Sequence, residues 1–307
     1  MHKLISATLL TLSISVLLYG DNAFADTRIV TSIKPLELLV RAVATEDMHI
    51  STLVPPGASP HNYAMTPSKR RALQSADIIF WVGPGMETFL NRLLTGSEFS
   101  ERSVALMWPE NADRAHQHEH DSSHGHGHDH GDSKDPHIWV NPQMAITMAE
   151  TIRDSLAQLE GADNAALDRN LETFRRATTQ KEKQILKQLK PLQNTSLLAY
   201  HSAFTRFAEH YSLNVEGVLT LNPELSPGAR HIADVQSRLR SANNPCLLTE
   251  PQFNQQWWLS ITEGLDVRFS SWDPLATDIA ATANGYAAFQ QSIADAALKC
   301  LPENTEH

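Results

Sequence analysis

The chain has 307 residues, of which 41% are hydrophobic, and its 25 basic and 35 acidic side chains leave a formal net charge of −10 at pH 7. This length is sufficient for two ordinary domains with apolar cores. The acidic balance argues against nucleic acid or another polyanion as a partner and favours a cation as the ligand.

The first 25 residues have the organisation of a secretory signal. Lys3 precedes an apolar run over residues 4–19, and Ala23-Phe24-Ala25 stands before Asp26. The alternative is an N-terminal membrane anchor, but Thr and Ser interrupt the run and it is shorter than the roughly 20 residues that a span requires. We therefore expect export to the periplasm, with cleavage after Ala25.

The next part of the chain alternates between strand and helix patterns. The predicted strands are 28–33, 49–54 and 77–83, and amphipathic segments lie between and after them. Thr66 and Pro67 form a favourable helix start, as N-cap and first helical residue. This alternation is typical of a parallel sheet with helices on both faces.

Residues 111–135 interrupt the pattern, because they are mostly His, Asp, Gly and Ser, with almost nothing apolar, and cannot form a core. We predict a disordered loop there. It falls within a first α/β lobe over residues 26–160. A long helical segment over 161–192 then links this lobe to a second α/β lobe over 193–307, where strands and helices alternate again.

Four residues with metal-binding side chains follow predicted strands or lie in proline-rich turns: His61, His137, His201 and Asp273. Ligands of parallel α/β sheets bind beyond the carboxyl ends of the strands, and two of these residues belong to each lobe, so a cleft between the lobes could gather them. Neutral imidazoles with a carboxylate form the nitrogen and oxygen ligand set that Zn²⁺ prefers.

Cys246 and Cys300 are the two cysteines of the chain. An even number of cysteines in an exported protein favours a disulfide. Two buried free thiols and a thiolate metal site are the alternatives.

Seven sequence motifs resemble those of the zinc-specific solute-binding proteins of bacterial ABC importers, the ZnuA type. They occur in the family's order across essentially the whole exported chain: LVPPGASPHNYAMTPS, WVGPGMETF, DPHIWVNP, AYHSAFTRFAEHY, LTLNPELSPGAR, TEPQF and WDPL. The resemblance implies two Rossmann-like lobes with parallel sheets, a rigid backbone helix and one zinc ion in the cleft. It also implies a carrier that is not an enzyme and that delivers zinc to an inner-membrane ABC permease.

The family's metal histidines correspond to His61, His137 and His201. A histidine at the third position is typical of zinc members, whereas manganese and iron relatives usually have a glutamate there. Some zinc members have a glutamate before the first histidine, but this chain has Pro60, so the fourth ligand is expected to be Asp273 or water.

Glu250, Tyr63 and Trp139 are candidates to surround the ligands, since they follow a strand or flank a ligand histidine in sequence. The His-rich loop is expected to bind additional zinc ions weakly, because a disordered segment loses entropy when it forms each site. Its candidate ligands are His116, His118, His120, His124, His126, His128 and His130.

Other functions have to be weighed against a zinc carrier. A manganese or iron carrier of the same family, a metal-dependent adhesin and an extracellular zinc buffer are possible. So is a three-histidine zinc hydrolase, although the chain has no H-E-x-x-H motif and only Glu250 as an evident general base. Besides the permease, a periplasmic zinc chaperone is a candidate partner, and we expect a monomer.

Overall fold

The computed structural model describes residues 27–107, 135–220, 228–242, 244–253 and 256–302. The predicted signal segment and the seven histidines of residues 116–130 lie outside these ranges. Within them, none of the helices combines the length and the apolar character needed to cross a membrane.

The first lobe contains a four-stranded parallel sheet with the strand order β2-β1-β3-β4. Three of these strands match the predicted ones, whereas the last is only three residues long and too short to show a hydrophobic pattern. The elements of this lobe are β1 (Arg28–Thr31), α1 (Lys34–Val43), β2 (His49–Thr52), α2 (Pro67–Gln74), β3 (Ile78–Trp81), α3 (Thr88–Leu94) and β4 (Ser103–Ala105).

The helix start predicted at Thr66 is confirmed. Its hydroxyl accepts a hydrogen bond from the Lys69 backbone N–H at 3.4 Å, and Pro67 is the first residue of α2.

Two long helices connect the lobes in sequence: α4 (Pro142–Leu156) and α5 (Asn164–Gln188). The second helix packs against α1 and α4, and also against the last helix of the chain. It therefore contacts elements at both ends of the sequence.

The second lobe repeats the parallel arrangement, with the strand order β6-β5-β7-β8. Its elements are β5 (Leu197–His201), α6 (Thr205–His210), β6 (Val215–Thr220), α7 (Ala229–Ser241), β7 (Cys246–Thr249), α8 (Gln256–Ile261), β8 (Arg268–Ser271) and α9 (Gly285–Leu298). Two parallel-sheet α/β lobes with a helical backbone confirm the predicted fold class.

The two lobes share a continuous hydrophobic core. One cluster of buried side chains extends from Ile29 in β1 to Ile293 in α9. Helix α9 packs against both α1 and α5. At its first residue, Gly285, a Cβ atom would lie only 2.7 Å from Leu38 Cδ2. The last helix is thus pressed against the first lobe, and moving the lobes apart would expose apolar surface to water.

Cys246, at the start of β7, and Cys300, after α9, form a disulfide with a Cα–Cα distance of 5.5 Å. The predicted disulfide is confirmed. Both cysteines are fully buried, and the bond ties the last helix to the sheet of the second lobe.

Candidate metal centre

The second lobe places two polar side chains at the carboxyl edge of its sheet. His201 is the last residue of β5, and Glu250 directly follows β7. These two strands are neighbours in the sheet. From β5 the chain leads to β6 on one side of β5, and from β6 it crosses to β7 on the other side. The position between β5 and β7 is therefore the topological switch point of the sheet, where open α/β sheets bind their ligands.

The first lobe contributes two histidines from irregular segments. His61 lies in the loop between β2 and α2, where its backbone N–H donates a hydrogen bond to Ser59 Oγ at 3.3 Å. Gly57 provides the positive φ of 79° that the same loop requires. His137 precedes a buried 3₁₀ turn, Ile138–Val140.

Helix α9 holds this turn in place. The hydroxyl of Tyr286 donates to the carbonyl of Trp139 at 2.9 Å, and Gln290 Nε2 donates to the carbonyl of Val140 at 3.0 Å. The position of His137 therefore depends on an element of the second lobe.

The three histidine rings meet between the lobes. Their centroids are separated by 4.5 Å for His137–His201, 5.3 Å for His61–His201 and 5.5 Å for His61–His137. One nitrogen from each ring can be chosen so that all three lie within 4.8 Å of one another. Tetrahedral zinc requires nitrogens about 3.4 Å apart, so only small side-chain movements separate this arrangement from three ligands of one ion.

The buried Nε2 atoms of His137 and His201 have no hydrogen-bond partner among the described residues. Buried polar atoms are rarely left without a partner, and a metal ion would satisfy both. These atoms thus fit the role of metal ligands.

Carboxylates orient the other nitrogen of both rings. His137 Nδ1 lies 2.5 Å from Asp135 Oδ1, and His201 Nδ1 lies 3.4 Å from Glu250 Oε2. With its proton on Nδ1 and donated to the carboxylate, each imidazole keeps Nε2 unprotonated for a metal.

Burial also favours the uncharged, metal-binding form of two of the rings, those of His61 and His137. It lowers the pKa of His61 to about 3, and the nearby imidazoles of His137 and His201 contribute in the same direction. Burial likewise lowers the pKa of His137, although Asp135 opposes this effect. At pH values below the ordinary pKa of histidine, these two imidazoles therefore stay unprotonated and available to a cation.

The cavity at the rings is small, with a volume of about 10 Å³. This is close to the space that one water molecule requires. An organic substrate needs a far larger pocket, so the arrangement does not favour a hydrolase. Its walls are formed by Ser59, Pro60, His61, Met86, His137, Trp139, His201, Glu250, Gln252, Phe253, Pro274 and Leu275.

The structure does not bring Asp273 into this group. Its Oδ1 accepts hydrogen bonds from Gln252 Nε2 at 2.5 Å and from the Leu275 N–H at 2.8 Å, and its Oδ2 accepts one from the Thr277 N–H at 2.7 Å. Within the described residues, the metal-competent cluster consists of His61, His137 and His201. This carboxylate, one of the two candidates for the fourth ligand, instead stabilises the loop after β8.

The residues predicted to surround the ligands have different environments. Trp139 and Glu250 line the cavity, and the indole of Trp139 lies edge-on to His137 at 5.3 Å. Tyr63 instead packs its ring on Phe89, at 5.4 Å, away from the cavity lining.

Sequence reasoning missed Asp135, because it lies at the end of the segment expected to be disordered. Its position two residues before His137, with Pro136 between them, was the available signal. Met86 was also missed, since a single methionine after a strand is more often a core residue.

Comparison with known proteins identifies the family. The family model described as "Zinc-uptake complex component A periplasmic" matches residues 29–300. The chain belongs to this family. It is similar to the high-affinity zinc uptake system protein ZnuA of Yersinia pestis, with 33% identity over 305 residues that cover 94% of this chain and 96% of the relative.

Solved structures show the same fold. A crystal structure of ZnuA matches with a TM-score of 0.69 at 22% identity, covering 88% of this chain and 99% of that chain. The SBP FpvC of Pseudomonas aeruginosa in complex with Mn²⁺ matches with a TM-score of 0.73 at 18% identity, covering 91% of this chain and 100% of that chain.

Because it belongs to the zinc-uptake family, the chain is a periplasmic zinc-binding protein of a zinc-uptake system rather than an enzyme, and such systems work with an ABC permease.

Proposed function

We propose that His61, His137 and His201 together bind the transported zinc ion as the tight site of this protein. The observation that carries the proposal is the convergence of the three rings, with two buried Nε2 atoms that lack a hydrogen-bond partner. Three nitrogen ligands favour Zn²⁺ over Mn²⁺, which prefers oxygen-rich sites, and over Fe²⁺, which generally binds a given site less tightly.

Water is the best candidate for the fourth zinc ligand in this proposal. Both oxygens of Asp273 already accept hydrogen bonds. Glu250 Oε1, by contrast, is buried and accepts no hydrogen bond among the described residues, although it lies 3.3 Å from His201 Nδ1, and its side chain lines the cavity. A zinc-bound water is a hydrogen-bond donor, which this carboxylate oxygen could accept.

The seven histidines of residues 116–130 form weaker, exchangeable zinc sites in this proposal. Seven imidazoles can hold divalent metal, but ordering the segment around each ion costs conformational entropy. The function of this segment would be to capture zinc when it is scarce, or to sense an excess. The proposal also includes cleavage of the signal after Ala25, a monomeric carrier, and a periplasmic zinc chaperone as a possible second partner besides the permease.

A competitive zinc titration of the mature chain lacking residues 115–133 tests the site assignment. We expect one tight site to survive the deletion, and His201→Ala in the same background to abolish it. His49→Ala is the matched control, because this exposed histidine begins β2, at the sheet edge opposite the site. Loss of tight binding on deletion would instead make the histidine run the receptor, and tighter binding of Mn²⁺ than of Zn²⁺ would favour a manganese carrier.

A further inference from the structure

We infer that Arg206, a residue of α6 in the second lobe, is a positioning residue for the zinc ligand His137 of the first lobe. The inference rests on the proposed role of His137. It adds a residue that does not touch the metal but holds the carboxylate through which His137 is oriented.

The contact involves Asp135 at two places. Arg206 Nε donates to the backbone carbonyl of Asp135 at 2.8 Å, and Arg206 Nη2 donates to the same oxygen. Its Nε also lies 3.8 Å from Asp135 Oδ2. The guanidinium therefore restrains both the backbone and the side chain of this residue.

Asp135 passes this restraint to His137. Its Oδ1 accepts hydrogen bonds from the His137 backbone N–H at 3.1 Å and from His137 Nδ1 at 2.5 Å. Pro136 stands between the two residues and limits the backbone torsions. Contacts thus run without a gap from Arg206 through Asp135 to His137, whose imidazole faces the cavity.

The geometry also couples the two lobes. Arg206 follows the ligand His201 by five residues, with a 3₁₀ turn, Ser202–Phe204, between them. His201 belongs to the second lobe and His137 to the first, so this short rigid connection fixes the two ligands relative to each other.

The far end of α6 is anchored as well. His210 Nε2 lies 2.7 Å from Glu182 Oε1 on α5, and Gln143 Nε2 of α4 donates to Glu182 Oε2 at 2.7 Å. Because both ends of the helix are held, α6 resists rotation that would withdraw Arg206.

The environment distinguishes this contact from an ordinary surface ion pair. The side chains of Arg206 and Asp135 are 16% and 20% exposed. The guanidinium offers several donors in a fixed planar fork, so one side chain can contact both the backbone carbonyl and the carboxylate of Asp135. Exposed pairs, in contrast, contribute little.

The test compares zinc binding by the mature chain and by its Arg206→Gln and Arg206→Lys variants. Residues that orient metal ligands typically change metal affinity by about 10- to 100-fold when replaced. We expect a loss in this range for Arg206→Gln and a smaller loss for Arg206→Lys, since lysine retains the charge but not the fork of donors.

Cobalt(II) substitution supplies a readout that a general loss of stability would not move, because its visible d–d absorption reports ligand geometry. Arg206→Gln should alter these bands, and Asp135→Asn, which breaks the same chain of contacts at its centre, should alter them similarly. Arg175→Gln is the matched control: Arg175 pairs with Glu150 at 2.5 Å, between α5 and α4, and should leave both readouts unchanged.

The outcomes separate the inference from the proposed function. If the unmodified protein binds zinc tightly but Arg206→Gln has the same affinity and the same cobalt spectrum, Arg206 has no positioning role. If Arg206→Gln does not fold, the same comparison with Arg206→Lys decides. If replacing His61, His137 or His201 leaves tight binding intact, the proposed site itself fails.

Discussion

The Nδ1 atom of His201 faces both carboxylate oxygens of Glu250, at 3.3 Å from Oε1 and 3.4 Å from Oε2. Both side chains are almost completely buried, at the carboxyl ends of the neighbouring strands β5 and β7. An imidazole with its Nδ1 proton directed at a carboxylate presents Nε2 in one direction. The sheet of the second lobe thus presents an oriented imidazole at the cleft.

Replacing Glu250 with Gln should weaken zinc binding. The amide keeps the shape of the side chain but removes the charge that holds the His201 proton, and we expect the Kd to rise about tenfold or more. A competitive zinc titration measures this. Glu263→Gln is a suitable control, because Glu263 is exposed after α8. An unchanged Kd for Glu250→Gln would show that this contact does not orient the ligand.

Replacing Asp273 with Ala should affect stability rather than zinc affinity. The substitution removes the acceptor for the backbone N–H groups of Leu275 and Thr277. We expect the free energy of unfolding of the metal-free protein to fall by about 2 kcal/mol, measured by urea denaturation. A large loss of zinc affinity in a variant that remains folded would instead identify Asp273 as a ligand.

The stability of the metal-free protein should decrease as the pH falls below 6.5. The pKa of His61 is about 3 in the folded protein, against an ordinary value of 6.5. Between these values the unfolded chain binds more protons than the folded chain, so acidification favours unfolding. For His61 alone, the loss between pH 7.5 and pH 5.5 is about 1 kcal/mol.

Urea denaturation at pH 7.5, 6.5 and 5.5 measures this dependence. The His61→Gln variant is the comparison, because it lacks the titrating group and should show a shallower decline. Equal pH dependence in the two proteins would mean that His61 titrates in the folded state much as it does in the unfolded chain.

Removing the disulfide should destabilise the protein without altering the metal site. Cys246 and Cys300 are separated by 54 residues, and closing a loop of this size stabilises a fold by roughly 4 kcal/mol in the chain-entropy model. We expect the Cys246→Ser, Cys300→Ser double variant to unfold at lower urea concentration. Its zinc Kd under native conditions should match that of the unmodified protein, and a large change would show that the bond also shapes the cleft.

Gly285→Ala should be destabilising by about 1–3 kcal/mol, the usual cost of overpacking a core. The added Cβ would lie 2.7 Å from both the Ala280 carbonyl oxygen and Leu38 Cδ2. Gly228→Ala is the control, because a Cβ there meets no atom within 4 Å. Thermal unfolding measures both, and equal Tm values would contradict the close packing of α9 on α1.

Much of the fold could be predicted from local pattern. Alternating apolar strands and amphipathic helices indicated two parallel α/β lobes, and Thr66 with Pro67 marked the start of α2 correctly. The strand β4 was missed because three residues carry no detectable period. The packing of α9 on the first lobe could not be predicted from local hydrophobic pattern either, because it depends on contacts between opposite ends of the chain.

The structure places the candidate ligands differently, for a similar reason. Three histidines following strands or between prolines indicated a nitrogen-rich site, and the structure brings these rings together. Asp273 has the same kind of position after a strand, but its carboxylate binds its own loop. Sequence position alone does not tell which way a side chain points.

The sequence by itself indicated the class of the protein: an acidic chain with an export signal, two α/β lobes, a cysteine pair and histidines suited to a transition metal. These properties follow from composition, hydrophobic period and motif spacing, which are local. Only the tertiary structure decided that Asp135 and Glu250 lie beside the Nδ1 atoms of His137 and His201 and that Arg206 reaches Asp135 from the second lobe. Such partners are distant along the chain, and their contacts exist only once both lobes have packed on the shared core.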